Sequence, residues 1–129
     1  VCRGNYHSTW ACSGGYDSVS DALFEDENVH AYYLEYDTDR AGDFKPLAKV
    51  SDGKKVVLGL LTSKSGKLED KDEVIARIKE ASQYVPLEDL YLSTQCGFAS
   101  TEEGNILTED DQWKKIALIS EIAREVWGE

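Results

Sequence analysis

Hydrophobic and polar positions along the chain change period several times, and each change predicts a new element. Three short apolar runs, bounded by polar residues, are typical of strands: Ala31–Tyr36, Lys54–Thr62 and Asp89–Ser93. The middle run is continuously apolar over most of its length, which is typical of a strand buried on both faces. These runs predict the strands of one buried sheet.

Helical spacing separates the three strands. Apolar residues recur at helical intervals over 70–85, where Pro86 is predicted to end the helix, and again from 108 to about 127. Shorter helical patterns occupy 17–24, before the first strand, and 44–50, between the first strand and the second. The order is therefore loop, helix, strand, helix, strand, helix, strand, helix.

Regular alternation of this kind predicts the α/β class, with parallel strands joined by helical crossovers. Three strands cannot close a barrel, and an eight-stranded (β/α)₈ barrel takes roughly 250 residues. The chain has 129 residues, begins with Val1 and contains no Met. We therefore expect residues 1–129 to form a single partial domain, the C-terminal half of a TIM barrel, with the preceding strand missing.

Composition narrows the possible partners. The net charge of −11 argues against nucleic acid as a partner, because phosphate binding calls for clustered Lys and Arg. No apolar run approaches the ~18 residues that a membrane span requires. The amino terminus also lacks the basic start and apolar stretch of a signal peptide. We expect a cytoplasmic protein that binds neither nucleic acid nor membrane.

Three cysteines, an odd number, do not suit a disulfide framework and favour a reduced setting in which thiols serve metal binding or catalysis. Cys12 is interpreted as a small buried hydrophobe. Cys2 and Cys96 differ from it because they lie at predicted strand ends. Glu35, at the end of the first strand, is expected either to pair with Arg40 or to bind a metal, since a buried lone carboxylate is costly.

Cys2, Glu35 and Cys96 can converge only if their segments lie side by side. Parallel strands achieve this, because their carboxyl ends gather at one edge, where such sheets place their chemistry. Two soft thiolates and one carboxylate suit zinc, with one position left open for substrate. The sequence contains no Gly-x-Ser-x-Gly or phosphate-binding loop that would suggest other chemistry.

Several short segments together resemble the C-terminal catalytic domain of cobalamin-independent methionine synthase, and most closely its shorter relatives called methionine synthase II. They are Cys2-Arg3-Gly4-Asn5, Leu34-Glu35-Tyr36-Asp37, Arg40-Ala41-Gly42-Asp43-Phe44, Leu58-Gly59-Leu60-Leu61-Thr62-Ser63-Lys64 and Gln95-Cys96-Gly97-Phe98. The resemblance covers essentially the whole chain. It implies a (β/α)₈ barrel that transfers a methyl group to the thiol of homocysteine with the help of zinc.

The resemblance also implies roles for individual residues. Cys2, Glu35 and Cys96 match the family's zinc ligands, and the family's remaining ligand, a His, would precede Val1. Lys64 stands where the long methionine synthases carry a His proposed as an acid towards the methyl donor, so it is the candidate catalytic residue. The partners that the resemblance implies are homocysteine and a methyl donor of the methyltetrahydrofolate type.

Two alternatives remain open at this point. One is a related zinc-dependent alkyl transferase that uses another thiol, such as coenzyme M. The other is a non-catalytic half-barrel. In either case the isolated half is expected to self-associate or to pair with its missing half, because unpaired strand edges recruit other chains.

Overall fold

A three-stranded parallel sheet lies at the centre of the molecule, in a computed structural model that describes residues 1–128. Strands β1 (Ala31–Glu35), β2 (Lys55–Leu61) and β3 (Leu90–Thr94) lie side by side in that order. Both pairings are parallel. The predicted strands and their direction are therefore confirmed, with each end placed within one residue.

Two α-helices cover the sheet. Helix α1 (Lys71–Ala81) begins at Asp70, whose side chain accepts a hydrogen bond from the Glu73 backbone N–H. It ends earlier than the predicted 70–85, because the chain turns before Pro86. Helix α2 (Glu109–Trp127) begins with a capping box, in which the side chains and backbone N–H groups of Thr108 and Asp111 bond reciprocally.

The remaining helical segments are short. The pattern over 17–24 predicted one helix, whereas the structure has a 3₁₀ turn, Asp17–Val19, followed by a π turn, Asp21–Asp26. The segment predicted as a short helix over 44–50 is a 3₁₀ helix, Lys45–Lys49, with Pro46 in its first turn. Other 3₁₀ turns are Tyr6–Ser8, Asp39–Ala41 and Leu87–Asp89. No helix within residues 1–128 has both the length and the apolar character that crossing a bilayer requires.

The two faces of the sheet differ. One face contributes Tyr32, Val56 and Leu90, which lie in register and belong to a core shared with both helices. The other face carries Tyr33 and Tyr91, which are 68% and 41% exposed. The helices thus cover only one face of the sheet. Because β2 is apolar on both faces, its other face also needs cover.

Candidate metal centre at the carboxyl ends of the strands

The two thiols predicted to converge do meet. Cys96 lies in the loop that directly follows β3, and Cys2 lies in the amino-terminal segment, whose terminal ammonium donates to the Tyr33 carbonyl at 2.8 Å. The Cys96 Sγ lies 3.2 Å from the Cys2 Sγ. Residues 94 positions apart are thus in contact at the carboxyl ends of the strands.

Glu35 is the last residue of β1 and is fully buried. Its Oε1 accepts a hydrogen bond from Arg3 Nη1 at 3.2 Å. Its Oε2 accepts from the Arg3 backbone N–H at 3.1 Å and from Arg40 Nη2 at 2.9 Å. Of the two roles that the sequence allowed for this carboxylate, the ion pair with Arg40 is present. Two guanidinium groups offset the cost of burying the charge.

Gln95 connects the thiols to Glu35, a role that the sequence did not reveal. Its Nε2 lies 2.9 Å from the Cys96 Sγ, 3.2 Å from the Cys2 Sγ and 2.8 Å from the Glu35 Oε2. The residue is 9% exposed. The only sequence signal for it was a polar residue at a buried strand end, immediately before Cys96. All three predicted ligands therefore contact one amide group.

Lys64 lies in the loop after β2, close to these residues. Its Nζ donates to the Asp37 Oδ2 at 2.6 Å and to the Gln95 Oε1 at 2.7 Å. The lysine side chain is 6% exposed and the aspartate side chain is fully buried. The residue predicted as catalytic is thus next to the thiols, but Gln95 lies between them and its ammonium group.

Backbone packing keeps this group together. A Cβ atom at Gly59, in the middle strand, would lie 2.8 Å from the Leu34 carbonyl oxygen and 3.0 Å from the Gln95 Cα, so only glycine lets these neighbours approach. Asn5 ties the amino-terminal segment to the loop after β3, because its Nδ2 donates to the Gly97 carbonyl at 3.0 Å. A glycine in β2 and an asparagine in the amino-terminal segment therefore keep the residues of the site close to one another.

Burial and neighbouring groups raise the pKa of one of the two thiols, that of Cys96. Burial, together with the hydrogen bond to Cys2 and the nearby charge of Glu35, raises the pKa of Cys96 to about 12. Cys96 is therefore a thiol at neutral pH in the absence of metal. The interpretation of Cys12 as a buried hydrophobe is wrong: Cys12 is exposed, in the polar and glycine-containing loop that precedes Asp17.

The donor chemistry fits zinc, although the side chains as they stand form a hydrogen-bonded set. Within residues 1–128, no group of three or more His, Cys, Asp or Glu is arranged to hold a metal ion. A tetrahedral zinc with Zn–S bonds of about 2.3 Å would separate two sulphurs by ~3.8 Å, slightly more than the 3.2 Å between Cys2 and Cys96. Both sulphurs and the Glu35 Oε2 lie close to the same amide nitrogen. Loss of the thiol protons and a slightly longer distance between the two sulphurs would therefore present three donors suited to zinc.

A family profile and several known proteins match this chain. The profile described as the catalytic domain of cobalamin-independent synthase matches residues 8–117. The chain is 52% identical over 128 residues to the Bacillus subtilis protein YxjH, covering 98% of this chain and 34% of that protein. It is 31% identical over 86 residues to the methionine synthase of Pyrococcus abyssi, covering 67% of this chain and 25% of that protein.

Solved structures give a consistent result. A putative vitamin-B12-independent methionine synthase from Listeria monocytogenes superimposes with a TM-score of 0.70 at 39% identity, over 92% of this chain and 34% of that one. A B12-independent methionine synthase from Shewanella sp. W3-18-1, in complex with selenomethionine, shares the fold with a TM-score of 0.79 at 22% identity, over 99% of this chain and 37% of that one. The chain thus spans about a third of the length of these relatives. With the profile match over most of its residues, the chain belongs to the cobalamin-independent methionine synthase family.

Proposed function

We propose that the protein is a zinc-dependent methyltransferase that methylates the thiol of homocysteine in methionine biosynthesis, with Cys2, Glu35 and Cys96 as zinc ligands. The observation that supports this most directly is the contact of Cys2 with Cys96 beside a buried Glu35. Family membership and the Pyrococcus relative named methionine synthase support the reaction class. The substrate sulphur would bind the same zinc beside these ligands.

Bound zinc would supply one property, the formation of thiolate from a thiol at neutral pH, because the metal takes the place of the proton. The chain's own residues then have the task of positioning. Arg3 and Arg40 hold the Glu35 carboxylate in place from two sides. Methyl transfer to sulphur is an in-line displacement, so the alignment of donor and acceptor accounts for much of the catalysis.

Lys64 is proposed as the residue that acts towards the methyl donor. By analogy with the family, this donor is proposed to be a methyltetrahydrofolate. Two observations support this role: Lys64 is buried near the thiols, and it forms an ion pair with Asp37. The ion pair with Asp37 holds the buried ammonium group in place.

The three parallel strands are proposed to belong to a (β/α)₈ barrel in a cytoplasmic protein. Support comes from the exposed face of the sheet. Tyr33 and Tyr91 lie on this face, opposite the helices, and a closed barrel would cover it. We expect the isolated chain to self-associate through this uncovered side. A non-catalytic half-barrel, the alternative, would show that association without binding metal.

The test is zinc content by elemental analysis, together with methionine formation from homocysteine and a methyltetrahydrofolate. In a protein that carries the whole barrel, the proposal expects one zinc per molecule and loss of both zinc and activity in Cys96→Ser, whereas residues 1–129 by themselves are expected to be inactive. Cys12→Ser is the matched control, since Cys12 is exposed and lies outside the cluster. Zinc and activity that persist in Cys96→Ser would contradict the assignment of the ligands. Protein that associates, but takes up no zinc and forms no methionine, would favour the non-catalytic alternative.

A further inference from the structure

The side-chain amide of Gln95 has its orientation fixed from both ends. On the oxygen side, Lys64 Nζ donates to the Oε1 at 2.7 Å and Ser63 Oγ donates to it at 3.0 Å. On the nitrogen side, Nε2 donates to the Glu35 Oε2 at 2.8 Å. An ammonium group can only donate and a carboxylate can only accept. The reversed amide would therefore place donor against donor and acceptor against acceptor.

This fixed orientation directs the amide hydrogens at the thiols. Nε2 lies 2.9 Å from the Cys96 Sγ and 3.2 Å from the Cys2 Sγ, so two hydrogens are shared among two sulphurs and one carboxylate oxygen. Among residues 1–128, the Nε2 of Gln95 donates to all three candidate ligands. An anchored amide at this point brings together groups that would otherwise repel one another once they are ionised.

We propose that Gln95 is a positioning residue, which holds Cys2, Cys96 and Glu35 together as one ligand set and tunes their sulphurs through N–H···S hydrogen bonds. The inference rests on the proposed zinc site. Lys64 acts through Gln95, because its ammonium group, held by Asp37, keeps the amide oxygen away from the thiols. A hydrogen bond to a thiolate withdraws charge from sulphur, and groups outside the ligand set influence metal affinity by about 10- to 100-fold.

Cobalt provides the test, because Co²⁺ bound to thiolates has sulphur-to-metal charge-transfer absorption that reports the electron density on sulphur. Zn²⁺ and Co²⁺ affinities are measured by competition with a chromophoric chelator in Gln95→Leu and in the unchanged protein. The expected results are metal affinity lower by about tenfold and a charge-transfer band moved to longer wavelength. Gln83→Leu is the matched control, since Gln83 is an exposed glutamine beyond the end of α1, and it should behave as the unchanged protein.

The outcomes separate the two proposals. If the unchanged protein binds neither Zn²⁺ nor Co²⁺, the proposed function fails and the role of Gln95 falls with it. If it binds Co²⁺ with thiolate charge transfer and Gln95→Leu has the same affinity and spectrum, only the role of Gln95 is wrong. Circular dichroism checks the fold, and Gln95→Met, which restores the length of the side chain, takes the place of a leucine variant that does not fold. A purely structural role would change the stability of these variants without shifting the charge-transfer band.

Discussion

Two buried lysines make a useful comparison, because each forms an ion pair with a carboxylate near the loop that follows β2. Lys64 Nζ lies 2.6 Å from the Asp37 Oδ2, at the carboxyl ends of the strands. Lys115 Nζ lies 2.8 Å from the Glu69 Oε1, where helix α2 meets the same loop. Neither the Lys115 side chain nor the Asp37 side chain has any exposed surface.

The difference lies in what the remaining donors and acceptors reach. Lys115 also donates to the Lys67 carbonyl, and Glu69 also accepts from the Thr62 backbone N–H, so that pair fastens a helix to a loop. Lys64 instead donates to Gln95, which in turn contacts both thiols. A buried ion pair is therefore no sign of function by itself. The groups that its spare hydrogen bonds reach distinguish a structural pair from one that serves a site.

The largest expected effect in this comparison is the loss of the site that Lys64 serves. In Cys96→Ser we expect metal binding to disappear, because serine offers a harder oxygen that stays protonated at neutral pH and the site has no spare donor. The pair between Lys115 and Glu69 should be unaffected, so the fold should remain. Elemental analysis after gel filtration and a thermal melt measure the two properties separately. A Cys96→Ser protein that retains one metal ion would show that the contact between the thiols is not the metal site.

Replacing each lysine by methionine should separate the two pairs. Lys64→Met should lower zinc affinity by about tenfold, because the Gln95 amide loses the donor that orients it. It should also destabilise the fold by about 3–5 kcal/mol, because Asp37 is left buried without its cation. Competition with a chelator gives the affinity, and urea unfolding of the metal-free protein gives the stability. Unchanged zinc affinity in Lys64→Met would show that this lysine does not act on the metal site through Gln95.

Asp37 offers a way to remove the stability effect and keep the effect on the metal. In Lys64→Met combined with Asp37→Asn, the buried charge is absent, so most of the lost stability should return. The zinc affinity should stay low, because the amide of Gln95 still lacks its ammonium partner. If affinity returns together with stability, the metal effect of Lys64→Met was only a consequence of local unfolding.

Lys115→Met should have the next largest effect, and on stability alone. We expect a loss of about 3 kcal/mol, at the low end for a broken buried pair, because the Glu69 side chain keeps 18% of its surface in water. Zinc affinity and the cobalt spectrum should match those of the unchanged protein. A shift in either would mean that the contacts of α2 reach the metal centre, which would break the distinction between the two lysines.

Some features of the fold and of the site could be predicted from the sequence, and others could not. Strand positions were predictable because continuous apolar runs mark them, and Cys2, Glu35 and Cys96 were recognisable by residue type at strand ends. The contacts of Lys64 with Asp37 and of Gln95 with the thiols were not, because they depend on which loops the strand register brings together. The register between β2 and β3 shifts between Gly59 and Leu61, next to Gln95, and no local pattern encodes that irregularity. Cys12 was misjudged for a related reason, since only tertiary packing decides whether a small thiol in a loop is buried.

Two tyrosines extend the comparison to uncharged groups and give the smallest expected effects. The Tyr16 hydroxyl accepts from the Glu35 backbone N–H at 2.9 Å and donates to the Glu35 carbonyl at 3.3 Å. The Tyr36 hydroxyl is buried and has no hydrogen-bond partner among residues 1–128. Tyr16→Phe should therefore cost about 1–2 kcal/mol, whereas Tyr36→Phe should be neutral or stabilising, because it removes a buried hydroxyl without a partner. Urea unfolding at pH 7 measures both, and equal losses in the two variants would contradict the difference in hydrogen bonding.

Alkaline pH sharpens this last prediction. Burial raises the pKa of Tyr36 above the ordinary value of a tyrosine, and the neighbouring Tyr16 adds to the shift. A raised folded-state pKa means that the contribution to stability is fully present below the unfolded pKa of about 10 and is lost as pH rises through the folded value. Stability should therefore fall above pH ~10 in the unchanged protein and fall less steeply in Tyr36→Phe, where this titration is absent. Unfolding midpoints measured from neutral to strongly alkaline pH give both slopes. Identical slopes would show that Tyr36 titrates as it does in the unfolded chain, and that its burial has no consequence for stability at high pH.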